Sequence, residues 1–308
     1  MSPLLAFIPS PSENGIRIGP FFLHAYGLMY VIGVAASILV ASKRWEARGG
    51  SRELVYETAM WGFPAGLIGG RLYFDITSYS LMRQESGGHW WGWIAIWDGG
   101  LGIWGGIAAG SIVGIWVLHR RGADVTRFMD AAVPGILVAQ AIGRIGNYFN
   151  QELFGKPTTL PWGLEISLAH RPAGYTQFAT FNPTFLYELI FDLALAGALI
   201  WLGNHRKIRD PGLFALYVAG YSGFRIFEES IRIDPSHRYL GLRLNFYVAT
   251  LACLAGLAWF WRIQRGGGWP GRRGRGDAAT SADGAEHPAP PGASPPAKRR
   301  VSQPSRRA

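Results

Sequence analysis

Long apolar stretches separated by short polar segments run along the chain up to about residue 262. Seven of these stretches have the roughly 20 mostly apolar residues that a helix needs to cross a bilayer. The seven predicted spans are 21–41, 55–74, 96–118, 125–147, 184–202, 212–233 and 241–261. Too little polar sequence remains to cover a soluble core of this size. The pattern therefore predicts an all-α integral membrane protein with seven transmembrane helices.

Basic residues cluster in the short loops that follow spans one, three and five. They are Lys43, Arg44, Arg48, Arg52, Arg120, Arg121, Arg127, Arg206, Lys207 and Arg209. The opposite loops carry fewer, and the positive-inside rule therefore predicts an N-terminus outside and a cytoplasmic C-terminus. The first span lacks the basic flank and small-residue cleavage site of a removed signal peptide. We expect a multi-pass protein of a bacterial plasma (inner) membrane, with an extracytoplasmic excursion at 148–183 between helices four and five.

The net charge of +10 resembles that of a nucleic-acid-binding protein until the charges are located. Nine Lys and Arg residues and three acids lie in segment 265–308, so most of the excess belongs to a Pro- and Gly-rich tail. Such a composition predicts disorder. We therefore expect a membrane-embedded catalytic domain at 1–264, a disordered cytoplasmic tail at 265–308 and no nucleic-acid partner. The single cysteine, Cys253, excludes an internal disulfide, and no metal motif or cofactor site is predicted.

Ionisable and amide side chains inside the spans fall at their outer ends in this topology. They are His24, Tyr26, Arg71, Asp98, Arg144, Asn147, Glu188, Arg225, Glu229 and Arg232. Each charge costs about 2.5–3.5 kcal/mol to insert, so each needs a reason. A structural ion-pair network is one explanation. The other is binding of an outer-leaflet phospholipid headgroup, because guanidinium groups match phosphate oxygens in pairs.

The densest polar run is GRIGNYFNQELFG at 143–155, where span four enters the excursion. It resembles the signature of the prolipoprotein diacylglyceryl transferases. Further matches are HAYGL at 24–28, GR at 70–71, GGL at 99–101, GG at 105–106, PTFLYE at 183–188, and Arg225 with Glu229 and Ile231-Arg232. The resemblance covers about residues 20–262 and implies the same seven-span topology.

The resemblance implies transfer of the diacylglyceryl group of phosphatidylglycerol to the lipobox cysteine of a prolipoprotein signal peptide. A thioether forms and glycerol phosphate leaves. Because Cys253 lies in an apolar part of span seven, the attacking sulfur is expected from the substrate. A thiol has a pKa near 8.5 and reacts as the thiolate, so it needs a base or a positive environment.

We assign roles on this resemblance as hypotheses. Arg144 grips the phosphate, and the headgroup glycerol is held by its neighbours in the same run, Asn147, Asn150, Glu152 and Gly155. Arg225, oriented by Glu229, supplies a second cation for the charge that develops on the departing phosphate. His24 or Tyr26 orients or deprotonates the thiol.

Two departures from the family pattern concern titratable groups. Trp104 precedes Gly105-Gly106 where some members carry a histidine proposed as the base, and Asn182 precedes Pro183 where a histidine is frequent. An indole accepts no proton, so any such role moves elsewhere or is unnecessary here.

Two other functions compete with the transferase. The GYSG run at 220–223 has the Gly-x-Ser-Gly form of intramembrane serine proteases, with Ser222 as nucleophile, but span seven contains no histidine to activate it. A lipid or anion transporter would use the same arginines. It would spread its charges across the membrane and show related half-repeats, neither of which is evident.

Overall fold

The structure, a computed structural model, describes residues 7–19, 21–95, 100–234, 236 and 238–266. The predicted tail beyond residue 266 and Asp98 lie outside these residues. The helices are α1 (Ala25–Glu46), α2 (Arg52–Thr77), α3 (Tyr79–Glu85), α4 (Ile103–Arg120), α5 (Val125–Asn150), α6 (Thr184–His205), α7 (Gly212–Ile231) and α8 (Leu244–Gln264). Single 3₁₀ turns occupy Trp90–Trp93 and Leu168–His170.

Five helices in the described part of the chain are long and apolar enough to cross a membrane: α1, α4, α5, α6 and α8. Their exposed surfaces are rich in large apolar side chains, such as Val31, Ile112 and Leu251. A surface of this kind suits contact with lipid. The prediction of a helical membrane protein with several membrane-spanning helices is therefore confirmed.

Helix α5 lies between α1 and α6, while α2 pairs with α4 and α7 pairs with α8. Close backbone contact explains the α2–α4 pair. A Cβ atom on Gly105 would overlap the carbonyl oxygen of Gly69, and Gly66 lies against the carbonyl of Gly106. Such small-residue interfaces let membrane helices approach through their backbones.

One end of the helical bundle gathers the basic loops. Arg48 forms an ion pair with Asp210 at 3.0 Å, and Arg127 donates to the backbone oxygen of Arg48. At this end the buried carboxylate of Asp130 accepts hydrogen bonds from the backbone amides of Leu213 at 3.1 Å and Phe214 at 2.8 Å. Asp130, on α5, therefore caps the first turn of α7.

Short strands lie between the helices. They are β1 (Phe7–Ile8), β2 (Gly15–Ile18), β3 (Phe21–His24), β4 (Gly163–Glu165), β5 (Thr180–Phe181), β6 (Arg238–Tyr239) and β7 (Leu242–Arg243). β4 pairs with β1 in parallel and with β5 in antiparallel orientation, and β2 with β3 and β6 with β7 form hairpins. Phe154, Leu164, Ile166 and Phe181 are buried together, so the excursion has a small core of its own.

Several predicted span boundaries differ from the helices. Span seven was predicted from residue 241, whereas residues 242–243 form β7 and α8 starts at Leu244. Residues 21–24 form β3 because they pair with residues 15–18, and α1 starts only at Ala25. The third span was predicted from residue 96, whereas α4 starts at Ile103. The described residues 100–102 are not helical, and Gly100 has a left-handed backbone (φ 73°), which apolarity alone does not reveal.

Candidate active site

The C-terminal end of α5 brings together the amides and the carboxylate of the 143–155 run. Arg144 Nη1 donates to Asn147 Oδ1 at 3.1 Å, and Asn147 Nδ2 donates to Glu152 Oε1 at 2.7 Å. The same oxygen of Glu152 accepts from Asn150 Nδ2 at 3.4 Å. This geometry depends on Gln151, whose left-handed backbone (φ 52°) ends the helix and returns Glu152 towards Asn147.

A fully buried carboxylate, Glu188 on α6, lies between the two arginines proposed to bind phosphate. Its Oε2 is 3.4 Å from Arg144 Nη1 and 3.6 Å from Arg225 Nη1. Its Oε1 accepts from the hydroxyl of Tyr221 at 2.8 Å. Glu188 thus joins α5, α6 and α7 at one point and fixes the separation of the two guanidinium groups.

Arg225 is held on its own helix by the carboxylates of Glu228 and Glu229. The second oxygen of Glu229 accepts from Arg243 Nε at 2.6 Å, which ties α7 to the start of α8. The predicted orientation of Arg225 by Glu229 is therefore present as a contact. Glu228 shares that role, which was not predicted from the sequence.

The segment after α7 continues this network. Asp234 accepts from Arg232 Nε at 2.7 Å and from Arg243 Nη2 at 2.9 Å, and its backbone oxygen accepts from Arg243 Nη1 at 2.7 Å. Burial alone would raise the pKa of Asp234, but the two guanidinium groups reverse this and hold it below the ordinary value. Asp234 is consequently ionised across the physiological range.

The charges of this network compensate one another. Its members are Arg144, Arg225, Arg232 and Arg243 with Glu188, Glu228, Glu229 and Asp234. Guanidinium and carboxylate groups are equal in number, so these arginines belong to an ion-pair network. Structural pairing and ligand binding are therefore not exclusive explanations for these residues.

Arg144 nevertheless retains unused donor capacity. Its Nε is buried and donates to no described residue. The side chains of Arg144 and Arg225 are 22% and 18% exposed, in contrast to the carboxylate of Glu188, which is inaccessible. The guanidinium groups of Arg144 and Arg225 are therefore partly accessible beside the buried carboxylate of Glu188, and an anionic ligand can approach them.

Tyr26 lies against α5 close to this network. Gly146 makes that approach feasible, since a Cβ atom there would lie 2.6 Å from Tyr26 Cδ2. His24 ends β3 as an exposed residue, opposite Gly15 and edge-on to the ring of Phe22 at 4.9 Å. The structure therefore brings Tyr26 against the helix that carries Arg144, and pairs His24 within the first hairpin.

Arg71 contacts a different region. It is buried on α2, pairs with Asp75 at 3.1 Å and donates to the backbone oxygens of Gly92 and Gly100. These contacts fasten the segment between α2 and α4. Trp104, in the first turn of α4, is exposed.

Gly155 lies where the backbone of the excursion approaches two other segments closely. Its amide donates to the oxygen of Asn182 at 2.9 Å, and a Cβ atom would lie 2.9 Å from Asn182 Cβ and 3.1 Å from the oxygen of Ile231. It holds the excursion against the start of α6 and the end of α7. Substrate contact by Gly155 remains a prediction.

Some residues of the site were missed in the sequence. Arg243 precedes α8 after a hairpin and gives no signal by itself. Glu228 and Asp192 could have been found by helical spacing, since they lie three residues after Arg225 and four after Glu188. Asp192 is fully buried, and neither of its carboxylate oxygens has a hydrogen-bond partner among the described residues.

Ser222, the nucleophile of the rival protease hypothesis, lies on α7. Gly223, next to Ser222, lies within 3.7 Å of Cys253 Sγ when a Cβ atom is added, so this stretch packs on α8. That helix contributes a thiol and apolar side chains but no histidine. No group of three His, Cys, Asp or Glu residues suited to a metal ion occurs in the described ranges.

Comparisons with known proteins identify the family of this chain. The family described as "Prolipoprotein diacylglyceryl transferase" matches residues 14–262. Phosphatidylglycerol--prolipoprotein diacylglyceryl transferase 2 of Streptomyces coelicolor is 46% identical over 82% of this chain and 80% of its own length. The enzymes of Cutibacterium acnes (45%; 89% and 90%) and Streptomyces griseus (49%; 80% and 74%) are similarly related. The resemblance inferred from the polar run is thereby confirmed: the chain belongs to the prolipoprotein diacylglyceryl transferase family and is a transferase.

Proposed function

We propose that this protein transfers the diacylglyceryl group of phosphatidylglycerol to the thiol of the lipobox cysteine in a prolipoprotein signal peptide. The sulfur forms a bond to the terminal glyceryl carbon, and the bond from that carbon to the phosphate oxygen breaks. The electron pair of the broken bond leaves with glycerol phosphate. The thiol proton goes to a base or to the departing phosphate monoester, which completes the balance.

One observation carries the proposal: Arg144 and Arg225 converge on the same oxygen of Glu188 while both stay accessible. A phosphodiester bound there meets two cations whose spacing is fixed before it arrives. Charge grows on the phosphate as the carbon–oxygen bond breaks, so preorganised guanidinium groups stabilise the transition state more than the bound lipid.

The amides and Glu152 are proposed to bind the hydroxyl groups of the headgroup. They are connected to Arg144 through Asn147, so phosphate and headgroup contacts form one continuous surface. Tyr26, which packs beside Gly146, is proposed to orient or deprotonate the thiol, with His24 as the other candidate. The pH dependence of the rate for Tyr26→Phe and His24→Gln separates these two roles.

We further propose seven membrane-spanning helices, adding α2 and α7 to the five apolar ones. Both are long, with 26 and 20 residues, and both pack on a helix of that set. The ionisable residues inside their predicted spans form ion pairs, which reduces the cost of insertion. The basic end then faces the cytoplasm and the site faces outwards, in a bacterial plasma membrane. A catalytic domain at 1–264 and a cytoplasmic tail at 265–308 complete this proposal.

The test is transfer by purified protein in vesicles containing phosphatidylglycerol and a lipobox peptide, followed by mass spectrometry of the peptide. Arg144→Ala is expected to reduce transfer by about 10²–10³-fold, the usual loss for one transition-state donor. Arg83→Ala is the control, since the side chain of Arg83 is exposed and, among the described residues, donates a hydrogen bond only to Tyr79. Undiminished transfer by Arg144→Ala would remove the phosphate contact. Cleavage of the peptide, blocked by a serine-directed inhibitor, would support the protease instead.

A further inference from the structure

A polar cavity of about 550 Å³ opens on the outer side of the site. One wall is the segment 11–14, which precedes the first hairpin, and the opposite wall is formed by residues 149–152 at the end of α5. His170 closes one side. The cavity contains Glu152, whose Oε1 binds the asparagine that in turn binds Arg144. It is therefore two side chains away from the proposed phosphate position.

Hydrogen bonds hold the N-terminal wall in place. Gln151 Nε2 donates to the oxygen of Pro11 at 3.1 Å, while Gln151 Oε1 accepts from the amide of Ser167 at 2.8 Å. The hydroxyl of Tyr148 donates to the oxygen of Pro9 at 2.8 Å. The backbone oxygen of Asn14 accepts from the first amide of α1 at 2.8 Å. This segment is thus a built part of the cavity.

The cavity offers acceptors that the protein itself does not use. The carboxylate of Glu13 and the side-chain amide of Asn14 make no hydrogen bond with another residue in the described part of the chain. Glu152 uses one oxygen for two asparagines, and its Oε2 likewise has no described partner. Glu152 is half-buried, whereas Glu13 and Asn14 are exposed. Accessible acceptors of this kind, gathered in one cavity, match hydroxyl donors. Two carboxylates also disfavour an anion, so a phosphate is expected to stay at the arginines.

We propose that this cavity is the subsite for the hydroxyl-bearing headgroup of the phospholipid, and that Glu13 and Asn14 determine headgroup specificity. The inference rests on the proposed function. The headgroup is joined covalently to the phosphate, so it must lie within the length of a glycerol unit from the two arginines. Displacement carries the leaving group away from the incoming sulfur, and the cavity gives it a polar exit to the outer surface.

The two carboxylates have opposite effects on substrate and product. An uncharged glycerol headgroup donates hydrogen bonds to Glu13 and Glu152 while its phosphate carries a single negative charge at the arginines. After transfer the phosphate is a monoester with a larger negative charge, and repulsion by nearby carboxylates weakens its binding. The cavity therefore favours the intact lipid over the released glycerol phosphate.

The experiment measures KM for phosphatidylglycerol, KM for the lipobox peptide and inhibition by added glycerol phosphate in the vesicle assay. The variants are Glu13→Gln, Asn14→Ala and the double variant, with exposed Gln177→Ala as control. We expect the double variant to raise KM for phosphatidylglycerol at least tenfold, with KM for the peptide unchanged. We also expect glycerol phosphate to inhibit the Glu13→Gln variant more strongly than the wild type, because one repelling charge is lost.

Other outcomes overturn the inference without touching the transferase. If KM for the peptide rises and KM for phosphatidylglycerol does not, the cavity receives the polypeptide that follows the cysteine. If neither value changes while wild-type protein transfers normally, the N-terminal wall plays no part in recognition. Absence of transfer by the wild-type protein contradicts the proposed function itself. Circular dichroism of each variant in detergent checks that a changed KM does not reflect unfolding.

Discussion

Asp130 provides the sharpest test of how the bundle is held together. Its carboxylate is fully buried on α5 and accepts the amides of Leu213 and Phe214, at the start of α7. The first amides of a helix have no partner within it, and Pro211 at the N-cap supplies no side-chain bond. Asp130→Ala therefore leaves two buried amides without acceptors.

The magnitude follows from these two bonds. A hydrogen bond to a charged group contributes about 1.5–3 kcal/mol, so removing both costs about 3–6 kcal/mol of unfolding free energy. Asp130→Asn keeps one acceptor oxygen and should cost about 1–2 kcal/mol, in the range measured for helix caps. Denaturant titration in detergent micelles, followed by circular dichroism, measures both values.

Glu53→Gln is the matched control for this prediction. Glu53 is exposed in the first turn of α2, so its substitution should change the unfolding free energy by less than about 0.5 kcal/mol. An Asp130→Ala protein as stable as the wild type would refute the capping argument. Equal losses for Asp130→Ala and Asp130→Asn would show that the charge, rather than the accepted bonds, is what matters.

Three further predictions concern the site and the packing. Glu188→Gln should lower kcat about 100-fold in the vesicle assay because both guanidinium groups lose their common anchor; an unchanged kcat would contradict that role. The pKa of Asp234 is lowered in the folded state. Its ion pairs therefore stabilise the folded protein at pH values above the unfolded pKa of about 3.9. This stabilisation is lost as the pH falls through the lower, folded-state pKa. Asp234→Asn should therefore flatten the loss of stability between about pH 5 and pH 2, measured by thermal unfolding. Gly105→Val should lower the free energy of unfolding by more than about 3 kcal/mol, because the new side chain would overlap the backbone of Gly69. Gly197→Ala is the control and should be neutral or stabilising, because a Cβ atom there meets no atom within 4 Å. Denaturant titration measures both changes.

The helical architecture follows from the sequence because lipid imposes a simple rule. A spanning segment must satisfy its backbone internally and expose apolar side chains, so length and hydropathy identify it. The polar residues within such segments are costly and few. For that reason Arg144, Glu188 and Arg225 could be grouped from topology alone, and the structure places them in contact.

The remaining parts of the site depend on contacts that local pattern does not encode. The strand at 21–24 exists because of pairing with residues 15–18, and the wall at 11–14 is fixed by Gln151 about 140 residues away. Arg243 enters the network only because a hairpin directs it onto Glu229. The balance of positive and negative charge could not be predicted either, because it depends on the ion pairs that Glu228 and Asp234 form with the arginines.

Balanced ion pairs around Arg144 and Arg225 have a consequence for how the enzyme meets its lipid. A cluster with little net charge has a field that decays within a few ångströms, and it attracts anionic lipids weakly from a distance. Encounter should then depend on lateral diffusion in the leaflet and on local fit. Turnover of this enzyme should accordingly respond to the mole fraction of phosphatidylglycerol far more than to the ionic strength of the surrounding water.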